Sequence, residues 1–129
     1  MKAFIHKVLK EIVESAEADE RIIAQYFSPR YVQHVNGYVL DYKDFVKHMQ
    51  EQKKVLESAK VTIERCVAEG DAICTVHVVD AVKKGGTRLS VKVIAFFKIE
   101  DGKIVLCDEL THLISGKEED RDIGYIIKA

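Results

Sequence analysis

The sequence is poor in residues that mark particular protein classes. It has one proline, no tryptophan and three cysteines among 129 residues. Cys66, Cys74 and Cys107 are odd in number and show no C-x-x-C spacing, so neither a disulfide framework nor a zinc site is predicted. We expect these side chains to be buried, reduced thiols.

The sequence also has no large excess of positive or negative charge and no long apolar run. Twenty basic against twenty-one acidic residues give a net charge of −1 without a dense basic stripe, so nucleic acid is not an expected partner. No apolar run approaches the ~20 residues of a membrane span, and the N-terminus has no continuous apolar signal region. We therefore predict a soluble, cytoplasmic protein that does not bind membranes.

The motifs of several common enzyme classes are missing as well. The sequence contains no P-loop, no G-x-G-x-x-G, no H-E-x-x-H and no Ser-His-Asp order. Hydrolase, nucleotide-binding and zinc-enzyme functions therefore have no support. No cofactor and no metal are expected.

What the sequence does contain is a long β-rich stretch from Ser58 to Ser115. Glycines at 70, 85, 86 and 102 supply the backbone freedom that tight turns require, and short turns make neighbouring strands antiparallel. In the third strand, apolar residues alternate with a mixed set, so one face should be wholly apolar. The predicted strands are Val61–Ala68, Ala72–Val82, Thr87–Glu100 and Lys103–Ile114.

Helical patterns precede these strands. The first 16 residues carry apolar side chains at helical spacing, and a second helix is predicted from Asp19 to Phe27, before Pro29. Tyr31–Val35 reads as a short strand, and Asp41 is the expected N-cap of a third helix. The order predicts one α+β domain over residues 1–129, with three N-terminal helices against a bent, mainly antiparallel sheet.

Several segments in this order resemble the nuclear transport factor 2-like superfamily, and within it the SnoaL-like polyketide cyclases and their uncharacterised bacterial relatives. They are "YFSPRYVQHVNG", "DYKDFVKHM", "AEGDAICTVHV", "FFKIEDGKI" and "VLCDELTHLISG". The resemblance covers essentially the whole chain. It implies a cone-shaped, cystatin-like half-barrel with a pocket between sheet and helices, and a homodimer formed through the outer face of the sheet.

The resemblance also implies where acid/base residues should lie. Related sequences often carry an aspartate at the position of Ala95 and a histidine at the position of Cys107. Both are replaced here. The Gln33-His34 pair and one acid, Glu109, remain, so we predict Glu109 and His34 as catalytic candidates.

Each candidate has an alternative. His34 is either a structural histidine or a donor at the pocket edge, on the strand face opposite Gln33. Glu109 is placed in the pocket, with Asp108 directed outward, although acids on strands usually face solvent. In an apolar pocket, desolvation would raise the pKa of Glu109 and suit it to proton transfer.

The remaining site predictions concern the pocket wall. Val93 and Phe97 should face the helices, and the phenol of Tyr26 either packs in the core or reaches the cavity. His77 and His112 could each face the pocket or the dimer seam, with an interface or solvent position favoured. Tyr42 and His48 are expected at the rim or on the surface. The predicted pocket residues are Tyr26, Val93, Ala95, Phe97 and Cys107.

Two function classes follow. The first is a pocket protein that binds a mostly apolar small molecule, and the alternative is an enzyme that transfers a proton on a small carbonyl compound. A further alternative is a non-catalytic dimerisation or partner module, since Ile94 and Phe96 place large apolar side chains on the other sheet face. In the tail, Ser115 and Glu118 form a possible capping box, and Arg121 either is solvated or reaches the cavity mouth or a partner subunit.

Overall fold

The computed structural model describes residues 1–116, which form three α-helices and six β-strands. The tail predictions for Glu118 and Arg121 lie outside the described residues. The elements are α1 (Lys2–Glu14), α2 (Glu20–Tyr26), β1 (Phe27–Val35), β2 (Tyr38–Asp41), α3 (Tyr42–Val55), β3 (Leu56–Glu69), β4 (Ala72–Lys83), β5 (Arg88–Glu100) and β6 (Lys103–Ser115).

The helices begin where the sequence places their caps. The Asp19 carboxylate accepts a hydrogen bond from the backbone N–H of Arg21 at 2.9 Å, and Asp41 accepts one from Asp44 at 2.8 Å. The apolar stripe of α1 is buried, as its spacing predicts. Among residues 1–116, no helix has both the length and the apolar character that crossing a bilayer requires.

The strands form one sheet in the order β2-β1-β6-β5-β4-β3. Strands β3 to β6 are the predicted antiparallel meander, whereas β1 pairs with β6 in parallel. This parallel pair joins the first third of the chain to its last described strand.

The first strand is longer than predicted. It begins at Phe27 and runs through Pro29, where the sequence suggested only the end of a helix. The pairing register of β1 with β6 shifts between Phe27 and Val32, and a proline without an N–H is tolerated in such an irregularity. The short strand β2 is an addition to the predicted elements, and its four residues are too few for a clear alternation pattern.

The sheet is open and curved. Register shifts interrupt the pairing of β3 with β4 and of β5 with β6, and such irregularities bend a strand and increase its twist. The concave face holds the core, and the helices pack against it. The edge strands β2 and β3 do not pair, so the sheet does not close into a barrel.

Strand β5 separates the two faces of the sheet as predicted. Its inward residues, from Leu89 to Ile99 at every second position, are all buried. On the other face Ile94 is 57% exposed and Phe96 is 37% exposed. The alternation of apolar side chains along this strand therefore gives the correct inner face.

An aromatic cluster joins α3 to β1. The rings of Phe27, Tyr31 and Phe45 lie with their centroids 4.8 Å apart in each pair. Tilted and edge-on arrangements at this distance are favourable for aromatic pairs. The cluster fixes the start of α3 over the inner face of the sheet.

Candidate functional site

A cavity of about 140 Å³ lies between the inner face of the sheet and helices α1 and α3. Its wall is mainly apolar, with Val8 and Ile12 from α1, Met49 from α3, and Val93 and Phe97 from β5. Polar side chains are the minority. They are Tyr31, Gln33, His48, Gln52, His77, Glu109 and Thr111, together with the thiol of Cys107.

The two covering helices are tied together beside this cavity. The ammonium group of Lys53 on α3 donates a hydrogen bond to the backbone carbonyl of Val13 on α1 at 2.6 Å. Burial lowers the pKa of Lys53 to about 8. The contact also satisfies one of the carbonyls left without a partner at the C-terminal end of α1.

Glu109 is the acid of a hydrogen-bonded chain in the cavity wall. Tyr31 Oη donates to Gln33 Oε1 at 2.8 Å, and Gln33 Nε2 donates to Glu109 Oε1 at 2.8 Å. The thiol of Cys107 lies 3.9 Å from the same carboxylate oxygen. Because its neighbours engage Oε1, the carboxyl group has a defined orientation.

The parallel pairing of β1 with β6 creates this arrangement. It places Gln33 opposite Cys107 and Val35 opposite Glu109. Asn36, at the end of β1, donates from Nδ2 to Thr111 Oγ1 at 2.6 Å and accepts from the Thr111 backbone N–H at 2.9 Å. These two bonds fix the register in which Gln33 meets Glu109.

Desolvation dominates the electrostatics of Glu109. Glu109 is half-buried and lines the cavity, and burial raises its pKa to about 7. The thiol of Cys107 opposes this shift, and the charge of Asp108 adds to it. Glu109 therefore changes protonation state near neutral pH.

The neighbours of Glu109 are neutral at physiological pH. Burial raises the pKa of the Tyr31 phenol and of the Cys107 thiol well above their usual values, and the charge of Glu109 acts in the same direction. Neither group is therefore poised to act as a base. The titratable group of this cluster near pH 7 is the Glu109 carboxyl.

Two histidines, for which the sequence favoured an interface or solvent position (His77) and the rim or surface (His48), are instead buried in the cavity wall. His77 is 4% exposed and His48 is 2% exposed. His77 Nδ1 lies 2.9 Å from Thr75 Oγ1, and burial lowers its pKa to about 4. His112 is exposed, and Tyr42 is half-buried.

The structure brings most of the predicted pocket residues to one place. Glu109, Val93, Phe97 and Cys107 all line the cavity. Ala95 is buried on the same sheet face, between Thr75 and Glu109 in register, but its short side chain does not contribute to the cavity wall.

Two predicted site residues lie elsewhere, and their positions are corrected here. His34 is exposed on the outer face of β1, because residues alternate along a strand and Gln33 occupies the inward position. Tyr26 is buried against α1, where its hydroxyl donates to Glu11 and its ring lies under the Lys7 ammonium. Neither residue lines the cavity.

Sequence reasoning missed Gln33 and Tyr31 as parts of the wall, and for His77 it favoured an interface or solvent over the pocket. For Gln33 the signal was present, because it shares a strand face with Tyr31 and Val35, two residues suited to a core. For His77 the alternation of β4 also indicated an inner face. The extent to which His77 is buried depends on how α1 and α3 pack over the sheet, and no local sequence pattern specifies that packing.

Within residues 1–116, no three His, Cys, Asp or Glu side chains are grouped closely enough to hold an ion. The polar groups of the cavity wall are donors and acceptors of hydrogen bonds.

Three helices over the concave face of an open sheet, with an apolar cavity between them, define a protein of the nuclear transport factor 2-like class. A solved structure of this ketosteroid isomerase-like fold, from Catenulispora acidiphila, superimposes with a TM-score of 0.68 at 14% identity, over 81% of this chain and 82% of that one. The chain belongs to the SnoaL-like domain family, which matches residues 11–107. The resemblance inferred from the sequence is thus confirmed.

Relatives extend beyond bacteria. An uncharacterized protein of Schizosaccharomyces pombe is 30% identical over 125 residues, which cover 97% of this chain and 95% of the yeast protein. AclR of Streptomyces galilaeus, a proposed hydroxylase, superimposes with a TM-score of 0.72 at 19% identity, over 100% of this chain and 89% of AclR. An epoxide hydrolase from M. tuberculosis gives a TM-score of 0.67 at 16% identity, over 92% and 84% of the two chains. Such identities establish the fold and leave the reaction open.

The raised pKa of Glu109 predicts a pH-dependent stability. Between the ordinary value of 4.5 and about 7, the folded state keeps a proton that the unfolded state has lost. The free energy of unfolding should therefore fall as pH rises across this window, by up to about 1.4 kcal/mol per pH unit, and level off above it. Glu109→Gln, which keeps the shape of the neutral acid, should lack this decline.

Urea denaturation of both proteins from pH 4.5 to 8.5 measures the effect. Subtracting the variant's pH profile removes the contribution of every other group. Parallel profiles for the two proteins would show that the Glu109 carboxyl is hydrated in the folded state.

Proposed function

We propose that this chain binds a mostly apolar small molecule, about the size of a single six-membered ring, in the cavity beneath α1 and α3. The observation that carries the proposal is an apolar wall interrupted by one oriented carboxyl group. A cavity of about 150 Å³ in another protein accommodates benzene, so the volume of about 140 Å³ suits a ligand of similar size.

The polar groups define what such a ligand carries. Glu109 Oε1 already accepts from Gln33, so its second oxygen is the one available to a guest. A hydroxyl group on the ligand can donate to this oxygen when the carboxyl is ionised. A carbonyl group can accept from the carboxyl when it is protonated, and the pKa near 7 makes both states accessible.

Phenol provides a direct test of the binding proposal. Titration of the ¹⁵N-labelled protein with phenol should give saturable chemical-shift changes at cavity residues. Val93→Phe should abolish them, because the larger ring occupies the cavity from β5. Val76→Phe is the matched control, since Val76 pairs with Ile94 on the outer face of the sheet and should leave binding intact.

Absence of saturable binding by the wild-type protein would refute the proposal for ligands of this class. Equal loss of binding in both variants would point to general disruption of the sheet. Thermal unfolding of each variant separates that outcome from blockage of the cavity.

Proton transfer on a small carbonyl compound is the second candidate function. It is favoured by the Glu109 carboxyl, whose pKa near 7 is suited to a general base, and whose orientation is fixed by Gln33. The carboxylate would remove a proton from the carbon beside a carbonyl group. The resulting enolate would then regain a proton at that carbon from the protonated Glu109 carboxyl.

Deuterium exchange into cyclohexanone in D₂O tests this candidate. The protein should accelerate exchange at the α-carbon, with a rate that rises through pH 7 as Glu109 ionises. Glu109→Gln should reduce the rate to that of buffer, and phenol should compete. If the wild-type rate equals that of the Gln variant at every pH, proton transfer by Glu109 is excluded and only the binding proposal remains.

We also propose that two copies of the chain pair through the outer face of the sheet. Large apolar side chains are exposed there, and Ile94 is in register with Leu110, which is 66% exposed. A monomer rarely leaves such a patch uncovered. The exposed apolar residues of the sheet include Val67, Ile94, Phe96, Leu110 and Ile114.

Sedimentation velocity measures this association. The wild-type chain should sediment as a dimer at roughly tens of micromolar, and Ile94→Lys should shift it to monomer. Phenol binding should persist in the variant, because Ile94 faces away from the cavity. A wild-type monomer at these concentrations would exclude the proposed pairing.

A further inference from the structure

Strand β4 contributes a second buried polar pair that the Glu109 cluster does not use. Thr75 is 1% exposed and His77 is 4% exposed, and the imidazole of His77 lines the cavity. Thr75 Oγ1 and His77 Nδ1 are 2.9 Å apart, within hydrogen-bonding distance. The location of the shared proton determines what the other ring nitrogen presents to the cavity.

The position of this proton follows from the need of the buried Thr75 hydroxyl for a hydrogen-bond acceptor. Among residues 1–116, the hydrogen-bond partner of its side chain is His77 Nδ1. If Nδ1 carried the ring proton, the buried hydroxyl hydrogen would have no acceptor in this part of the chain, which is costly. We therefore infer that Thr75 donates to Nδ1.

The consequence is that His77 carries its own proton on Nε2. Burial lowers the pKa of His77 to about 4, so the ring is neutral at pH 7 and has a single N–H group. In the described part of the chain Nε2 has no hydrogen-bond partner, although the side chain is buried. A buried donor normally has a partner, and the cavity is the space that this residue borders.

His77 and Glu109 are separated along the concave face. Thr75 and Glu109 are both in register with Ala95, on the two strands that flank β5. Neighbouring strands lie about 4.8 Å apart, so the backbones at Thr75 and Glu109 are roughly 10 Å apart. His77 lies two residues along β4 on the same face. Side chains that converge from these positions can reach opposite ends of one ring.

We propose that the Nε2–H group of His77 is a second polar anchor, which donates a hydrogen bond to an acceptor oxygen of the ligand while Glu109 binds a second polar group. The ligand class is therefore an apolar ring with two oxygen functions, of which one is an ether or carbonyl. This inference rests on the proposed binding function and makes it more specific.

The tautomer is tested without any ligand. Long-range ¹H–¹⁵N correlation spectra of the histidine-labelled protein at pH 7 should show His77 as a neutral ring protonated at Nε2. Thr75→Val removes the hydroxyl donor with little change of shape, and the preference for Nε2 should weaken. A wild-type ring protonated at Nδ1, or a charged ring at pH 7, would overturn the inference.

Ligand preference supplies the second test, with 4-methoxyphenol and 4-ethylphenol as probes. They differ in one ether oxygen, which a methylene group replaces. His77→Phe should weaken the binding of 4-methoxyphenol relative to that of 4-ethylphenol by roughly fivefold, which is the effect of one net hydrogen bond. His34→Phe is the matched control, because His34 is exposed outside the cavity and should leave the ratio unchanged.

The outcomes distinguish this inference from the function on which it rests. If neither phenol binds the wild-type protein, the binding function fails. If both bind, and the ratio of dissociation constants is the same in the wild-type protein and in His77→Phe, the cavity binds ligands but His77 is not an anchor. The tautomer measurement on the wild-type protein remains decisive if His77→Phe does not fold.

Discussion

The parallel pairing of β1 with β6 is the interaction on which the candidate site depends. Without it, Tyr31 and Gln33 would belong to a segment that is separate from the meander. Asn36 secures the pairing, because its side chain both donates to and accepts from Thr111, and its backbone N–H donates to the carbonyl of Glu109. A shift of one residue would exchange inward and outward side chains on β1 and remove Gln33 from the cavity.

Desolvation gives the cavity a consistent chemical character. Burial raises the pKa of the Glu109 acid and lowers that of the His77 base, so the same physical cause keeps both groups neutral over part of the pH range. A cavity with two neutral, hydrogen-bonding groups can accept an apolar guest without burying an unpaired charge. The same carboxyl group can nevertheless ionise near pH 7, which is the property a proton-transfer reaction would need.

The two faces of the sheet have different environments because side chains alternate with a period of two residues. Along β5, Val93 borders the cavity whereas Ile94 is exposed on the outer face. Along β1, the same rule directs Gln33 inward and His34 outward. The proposed ligand binding and the proposed subunit pairing can therefore be tested separately by substitutions at neighbouring positions.

The sequence by itself determined the order of the helices, the antiparallel meander and the inner face of β5, because these features depend on local periodicity, caps and turn residues. It also indicated the family, and it singled out Glu109 among the acids of the last strand. It did not distinguish Gln33 from His34 as the cavity residue, although strand alternation placed them on opposite faces. Tertiary structure decided that choice, since the parallel β1–β6 pairing brings together residues more than 70 positions apart. It also decided the burial of His77 and His48, because the pKa and contacts of a side chain depend on the helices that cover it, and no local pattern specifies how α1 and α3 pack over the sheet.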